Sequence, residues 1–187
     1  MTRSTRSKPP DFPGDSEDDV SIFLTEIGWM GIVGSGRLVR SVLVGHSSAA
    51  SVRKAVKQAG RPAPVETDWY RDLREALQNY ALGNPVDFSG FQLQLPPRTP
   101  FRDMVLAATR RLNYGETVSY GELARRVGHP GAARAVGTVM STNRFPIVIP
   151  CHRVLAAGNR LGGYTSPAGT DLKQRLLTME NAIVVGS

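Results

Sequence analysis

Three short apolar segments, residues 21–26, 30–33 and 38–44, follow one another with Gly28 and Gly34-Ser35-Gly36 between them. Short apolar runs punctuated by glycine predict a strand meander. Residues 49–59 read as a helix closed by Gly60. Trp69, Leu73, Ala76, Leu77 and Tyr80 form one apolar stripe, which predicts a helix over 68–82 that Gly83-Asn84-Pro85 ends. Residues 86–95 alternate as an edge strand or extended linker does, and Pro96-Pro97 marks a boundary. Residues 1 to about 18 combine Pro, Ser, Gly and both charges with almost nothing apolar, so disorder is expected there.

The second half carries sharper punctuation. Thr99-Pro100 is an N-cap followed by proline at the first helical position. The core face of that helix is predicted as Phe101, Met104, Val105, Ala108 and Leu112, with Asn113-Tyr114-Gly115 as its stop. Ser119-Tyr120-Gly121-Glu122 is a capping box opening a short helix over 121–127. His129-Pro130-Gly131 is a sharp turn, and 132–142 a second short helix with Ala132, Ala135, Val136, Val139 and Met140 inward. Ile147-Val148-Ile149 reads as a buried strand running into Pro150-Cys151. Thr170 or Asp171 begins the last helix, with Leu172, Leu176 and Met179 inward. These elements predict a small α/β N-terminal domain over 19–95, an antiparallel sheet plus helices. A mainly α C-terminal domain over 96–187, containing a helix-turn-helix, follows it.

Composition narrows the function classes. No apolar run among the 187 residues approaches the roughly 20 needed to cross a bilayer, and no apolar stretch follows the first basic residues as in a secretory signal. The single cysteine allows no internal disulfide and no multi-thiolate metal site, so neither metal nor cofactor is expected. A reducing, cytoplasmic setting is the default, nucleoid-associated if the source is bacterial. The net charge is +7, and residues 101–187 hold 11 Lys or Arg against 5 Asp or Glu. A basic folded half points to a polyanionic partner, nucleic acid first; simple solubility is the bland alternative.

The two short helices have helix-turn-helix dimensions, and Arg134, Thr138 and Ser141 share one face of the second. An ordinary helical hairpin would look the same. Cys151 is more specific. A lone cysteine is usually an inert small hydrophobe, but proline, histidine and arginine around it make a poor inert core. Neighbouring histidine and cationic charge lower a thiol's pKa, and the thiolate is the nucleophile. His152 is the candidate base, directly or through a water, and Glu180 its candidate orienting partner. Consecutive strand residues point to opposite faces, so sequence alone does not guarantee a Cys–His contact.

Pro150-Cys151-His152-Arg153-Val154 resembles the acceptor motif of the O6-alkylguanine-DNA alkyltransferases. The resemblance runs from about Phe101 to Glu180. Tyr114-Gly115-Glu116-Thr117 and Ser119-Tyr120-Gly121-Glu122-Leu123-Ala124 resemble the family's lead-in to its helix-turn-helix, and Gly131-Ala132-Ala133-Arg134-Ala135-Val136-Gly137 its recognition helix. Asn143 stands eight residues before the cysteine, as in the family, and Gly162-Gly163-Tyr164 resembles its pocket loop. The resemblance implies DNA repair by stoichiometric, irreversible transfer of an alkyl group from O6-alkylguanine in a single-turnover enzyme, and leaves activity on O4-alkylthymine open. Cys151 is then the acceptor, activated by His152 and Glu180, and Asn143 braces the turn. Arg134 fills the space left by the flipped nucleotide, while Ala133, Thr138 and Ser141 lie against the minor groove of double-stranded DNA. Tyr120, Pro146, Pro150, Val154, Tyr164 and Thr165 line the base pocket. A monomer without membrane contact is expected.

Three features depart from the family pattern: Arg144 where proline is common, Thr165 where serine is usual, and a stretch 165–170 about two residues longer than in many relatives. They bear on substrate size. The rivals are a damaged-DNA-binding protein without transfer, which Cys151 argues against, a helix-turn-helix regulator, and a thiol hydrolase that turns over.

Overall fold

The computed structural model describes residues 18–58, 65–95 and 99–182. The expected tail over 1–17, the Gly60 helix stop and the Pro96-Pro97 boundary lie outside them. Strands β1 (Asp19–Thr25), β2 (Gly28–Ser35) and β3 (Leu38–His46) form the predicted meander, with Phe23 opposite Met30 and Ile32 opposite Val42. Helix α1 (Ala49–Gln58), strand β4 (Val65–Glu66), helix α2 (Arg71–Ala81) and strand β5 (Gln92–Leu93) follow. The sheet order is β4-β1-β2-β3-β5, and both edge strands run parallel to their neighbours. The expected antiparallel sheet is therefore mixed. Each edge strand returns after a helix, and such a crossover lets a strand re-enter in parallel.

Alternation along the meander divides two apolar clusters. Val20 and Val33 pack with Val52 and Val56 of α1. Phe23, Met30, Ile32 and Val42 face the other way, onto Leu73, Leu77 and Tyr80 of α2. Helix α2 starts later than its stripe predicts: Tyr70 takes a left-handed conformation, φ 55°, and Trp69 sits before the helix, donating from Nε1 to the Gly36 carbonyl at 2.9 Å.

The second half consists of α3 (Pro100–Arg110), β6 (Val118–Ser119), α4 (Tyr120–Arg126), α5 (Ala133–Ser141), a 3-10 turn at Cys151–Arg153, β7 (Val154–Leu155) and α6 (Gly169–Met179). Thr99 caps α3 by accepting from the Arg102 N–H. The buried face of α3 is Val105, Leu106 and Thr109, while Met104 is exposed, so the predicted face is rotated. The cause is Thr109, whose hydroxyl donates to the Val105 carbonyl at 2.7 Å and satisfies itself inside the core. Ser119 caps α4 by accepting from the Glu122 N–H, but the Glu122 carboxylate takes Arg126 at 2.7 Å, so only half the capping box forms. On α5, Val136, Val139 and Met140 are buried and Ala135 is exposed, against expectation, because the inward stripe is narrower than apolar counting implies.

The largest correction falls just before Cys151. Residues 147–149 form a tight turn and not a strand, and Ile147 adopts φ 72°. The Ile149 N–H closes the turn on the Phe145 carbonyl at 2.8 Å. A β-branched residue at positive φ is strained and persists only where its surroundings over-determine it. The run is apolar because the turn is buried, not because it is extended.

One continuous cluster joins the halves, from Phe23, Met30 and Tyr80 through Val105, Leu123 and Val136 to Phe145 and Leu176. Helix α6 reaches the sheet where Gly45, φ 69°, lacks a side chain; a Cβ there would stand 2.5 Å from Cδ2 of Leu172. No described helix is long and apolar enough to cross a membrane.

Candidate active site

The strained turn delivers Cys151 as the first residue of the 3-10 turn, 8% exposed. Asn143 spans that turn: its Nδ2 donates to the Ile149 carbonyl at 2.9 Å and its Oδ1 accepts from the Phe145 N–H at 3.0 Å. Burial pushes the Cys151 thiol above its ordinary pKa. A hydrogen bond with Asn143, the charge of Lys173 and nearby backbone N–H groups pull the other way. The resting site therefore holds a thiol, and a base is needed to release the nucleophile.

His152 follows the thiol in the same turn. The His152 side chain is fully buried, and its Nε2 lies 2.9 Å from Oε1 of Glu180. Burial lowers the imidazole pKa against the opposing pull of Glu180, so His152 is neutral at pH 7. A neutral ring bonded to a carboxylate through Nε2 carries its proton there and keeps a free lone pair on Nδ1. Among the described residues Nδ1 is buried without a hydrogen-bond partner.

Glu180 follows α6 and is 3% exposed. Arg153 grips it with two nitrogens, Nε to Oε2 at 2.9 Å and Nη2 to Oε1 at 2.8 Å, and donates from Nη1 to the Leu112 carbonyl at 2.7 Å. The Gly115 N–H reaches Oε2 at 3.2 Å. Gly115 sits at φ 75°, where a Cβ would fall 2.8 Å from the Glu180 carbonyl oxygen. Burial raises the Glu180 pKa, but hydrogen bonds and charge from His152 and Arg153 outweigh it and hold the carboxyl well below the usual range. Because His152 is neutral at rest, Arg153 is the permanent counter-charge.

Two residues escaped the sequence reading. Tyr80 of α2 is wholly buried with its hydroxyl 2.5 Å from Oε1 of Glu180 and 3.2 Å from Nε2 of His152. Lys173 of α6 is wholly buried, donates to the Val154 carbonyl at 2.7 Å and lies 6.0 Å from the Tyr120 ring centre. Burial pulls its pKa down to about 8, partly offset by Cys151. The cation acting on the thiol is thus Lys173; Arg153, beside it in sequence, is committed to Glu180. A signal existed, since Lys173 stands three and four residues before the buried Leu176 and Leu177.

In front of Cys151 opens a cavity of about 510 Å³. Tyr120, Tyr164 and Thr165 line it as anticipated, with Ala133, Arg134 and Ser141 contributed by α5. The Tyr164 hydroxyl is buried without a partner among the described residues. Thr165 donates to the Ser141 carbonyl at 3.1 Å, tying the 162–166 loop to α5. Arg134 and Thr138 are exposed, and Thr138 does not line the cavity. Nor do Pro146, Pro150 and Val154. All three are buried, and Pro150 lines instead a separate cavity of about 790 Å³ behind the turn. The cysteine turn folds its prolines away from the opening.

Residues 100–182 match the sequence family described as 6-O-methylguanine DNA methyltransferase, DNA binding domain. The chain is 38% identical over 150 residues to the methylated-DNA–protein-cysteine methyltransferase of Mycobacterium leprae, covering 78% of this chain and 88% of the relative. It is 38% identical over 116 residues to the protein of that name from Methanosarcina acetivorans, covering 62% and 71%. The fold is similar to a crystal structure of Mycobacterium tuberculosis OGT in complex with DNA, with TM-score 0.72, 30% identity and coverage of 87% of this chain and 92% of that one.

Proposed function

The chain belongs to the methylated-DNA–protein-cysteine methyltransferase family, and from that premise we propose that it repairs DNA by direct transfer. An alkyl group on O6 of guanine passes irreversibly to the sulfur of Cys151. The observation that carries this reading is the only thiol of the chain, set at an open cavity and backed by a buried His152–Glu180 pair whose Nδ1 is unengaged.

The chemistry balances without a cofactor. The S–H bond breaks as Nδ1 of His152 takes the proton, directly or through a water. The resulting imidazolium lies against the Glu180 carboxylate. The thiolate attacks the alkyl carbon in line, from a near-attack separation of roughly 3–3.5 Å, as the C–O6 bond breaks. The electron pair leaves with the guanine anion, which a hydrogen bond from Tyr120 or from the unpartnered Tyr164 hydroxyl stabilises, and which takes one proton from solvent as His152 returns the one it accepted. The thioether has no hydrolytic route back to thiol, so each molecule acts once.

The target carbon lies inside the duplex, so the base must leave the stack at a cost of a few kcal/mol. In this reading α4 and α5 act as a helix-turn-helix, with Ala133, Thr138 and Ser141 toward the minor groove. The exposed Arg134, at the cavity mouth, fills the vacated space. Residues 19–95 serve as a supporting domain and 96–187 as the acceptor domain of a monomer. Cys151→Ser tests the assignment: binding to O6-methylguanine DNA is retained and transfer is abolished, because a hydroxyl is a far weaker nucleophile at neutral pH. Transfer by the serine variant would refute it.

A further inference from the structure

We propose that Tyr80 is a positioning residue for the transfer, its hydroxyl bridging His152 and Glu180 so that their pair is poised to accept the Cys151 proton. The inference rests on the reading of Cys151 as acceptor and extends it to the other half of the chain. Tyr80 lies 72 residues before His152 and outside residues 100–182 that match the family.

The geometry is a closed triangle. The Tyr80 hydroxyl is 2.5 Å from Oε1 of Glu180 and 3.2 Å from Nε2 of His152, and Nε2 is 2.9 Å from the same Oε1. An ionised carboxylate only accepts, so the hydroxyl proton lies on the Glu180 side and the oxygen lone pairs remain beside Nε2. The positive end of that dipole then faces the carboxylate and the negative end faces the ring. Both ends favour the imidazolium that forms when His152 takes the thiol proton. In a site this buried, such a dipole acts with little solvent screening.

The remaining charged and titratable groups around the pair have other tasks. Arg153 forks onto Glu180 and the Leu112 carbonyl, and Lys173 bonds the Val154 carbonyl. Tyr114 donates to the carbonyls of Gly83 and Met179. The Tyr164 hydroxyl lines the cavity with Cys151. The Tyr80 ring is wedged edge-on against Phe88 and Tyr114, centroids 6.0 and 6.1 Å away, which fixes where its hydroxyl points. Burial first, then Glu180, raises the phenol pKa far out of range, so Tyr80 keeps its own proton throughout.

The test is single-turnover transfer from free O6-benzylguanine between pH 6 and 10.5, comparing the full-length protein with Tyr80→Phe and Phe88→Leu. Losing the hydroxyl disfavours the imidazolium. Tyr80→Phe is therefore expected to react about tenfold more slowly at pH 7, with its alkaline rise displaced upward by about one pH unit. The two rates converge at high pH, where the thiol ionises without help. Phe88→Leu loosens the same packing with the hydroxyl intact; it lowers Tm and leaves the profile in place. An unmoved profile for Tyr80→Phe, a uniform loss at every pH, or an equal displacement in Phe88→Leu overturns the proposal. If Tyr80→Phe does not fold, the wild-type protein still decides by nitrogen-15 NMR, where only three histidines need assignment. A slowly exchanging Tyr80 hydroxyl proton with a cross-peak to the Nε2–H of His152 is expected, and its absence overturns the bridge. Failure of the wild-type protein to take the benzyl group would instead count against Cys151 as acceptor.

Discussion

At the residue scale, the side chains proposed to do the chemistry divide by whether that role shows in their neighbours along the chain. Cys151 and His152 were legible because a lone thiol between proline, histidine and arginine has no reason to be core. Glu180 entered as the candidate orienting partner of His152, and Asn143 through family resemblance and spacing. Tyr80 was not legible as a site residue, since its stripe reads as ordinary helix packing and its partners lie far away in sequence; Lys173 was missed although it stands at core spacing before Leu176 and Leu177. Arg134 separates two roles experimentally. As a phosphate contact only, Arg134→Lys would be nearly silent; as a stacked guanidinium it cannot be replaced by lysine. We expect both Arg134→Lys and Arg134→Ala to slow transfer from duplex DNA at least tenfold and to leave free O6-benzylguanine nearly unchanged. Equal losses on both substrates would place Arg134 in pocket folding. The histidines make a second prediction. His152 is held neutral, so its folded pKa lies below the unfolded 6.5, and the stability it contributes is present above pH 6.5 and lost as the pH falls. His46, also lowered by burial, adds to the same trend. Denaturant unfolding at pH 7.5, 6 and 5 should show falling stability, and His152→Gln a shallower fall. An identical slope would mean that folding leaves the His152 pKa unshifted, and a steeper fall in the variant that folding raises it.

At the scale of elements, caps and stops were read well and buried faces less well. Thr99-Pro100 and Ser119 open α3 and α4 because their hydroxyls meet backbone N–H groups three residues on. The α3 face came out rotated because a self-satisfied threonine counts as polar in a pattern and as core in a fold. The turn at 147–149 misled for the opposite reason: three β-branched residues resemble a strand, yet Asn143 clamps them into a left-handed bend. This clamp sets up a third prediction. Asn143→Ala leaves the buried Phe145 N–H unpaired and takes one of two donors from the Ile149 carbonyl, at a cost of about 1–3 kcal/mol. The strained turn then relaxes and carries Cys151 with it, so transfer from free O6-benzylguanine should fall by more than tenfold, and a crystal structure should show φ of Ile147 below zero. Retention of the turn and of the rate in the alanine variant would show that core packing alone holds it.

On the scale of the whole molecule, the two halves share one core, and α2 of the first reaches the relay of the second. Glycines and prolines mark the expected division into 19–95 and 96–187, and a core that runs across it leaves no mark in local patterns. The mixed sheet was hidden likewise, since edge strands of two residues carry no periodicity. The basic balance of the second half was legible directly, and it favours approach to a polyanion without choosing a sequence. The central claim concerns what becomes of the molecule after one reaction. Intact mass, followed by peptide mapping after incubation with a large excess of O6-methylguanine duplex, measures that most directly. A plateau at one methyl group per protein, carried on Cys151, with one equivalent of guanine restored, is the expected result. Clearance of many equivalents by unmodified protein, or a methyl group on another residue, would contradict it.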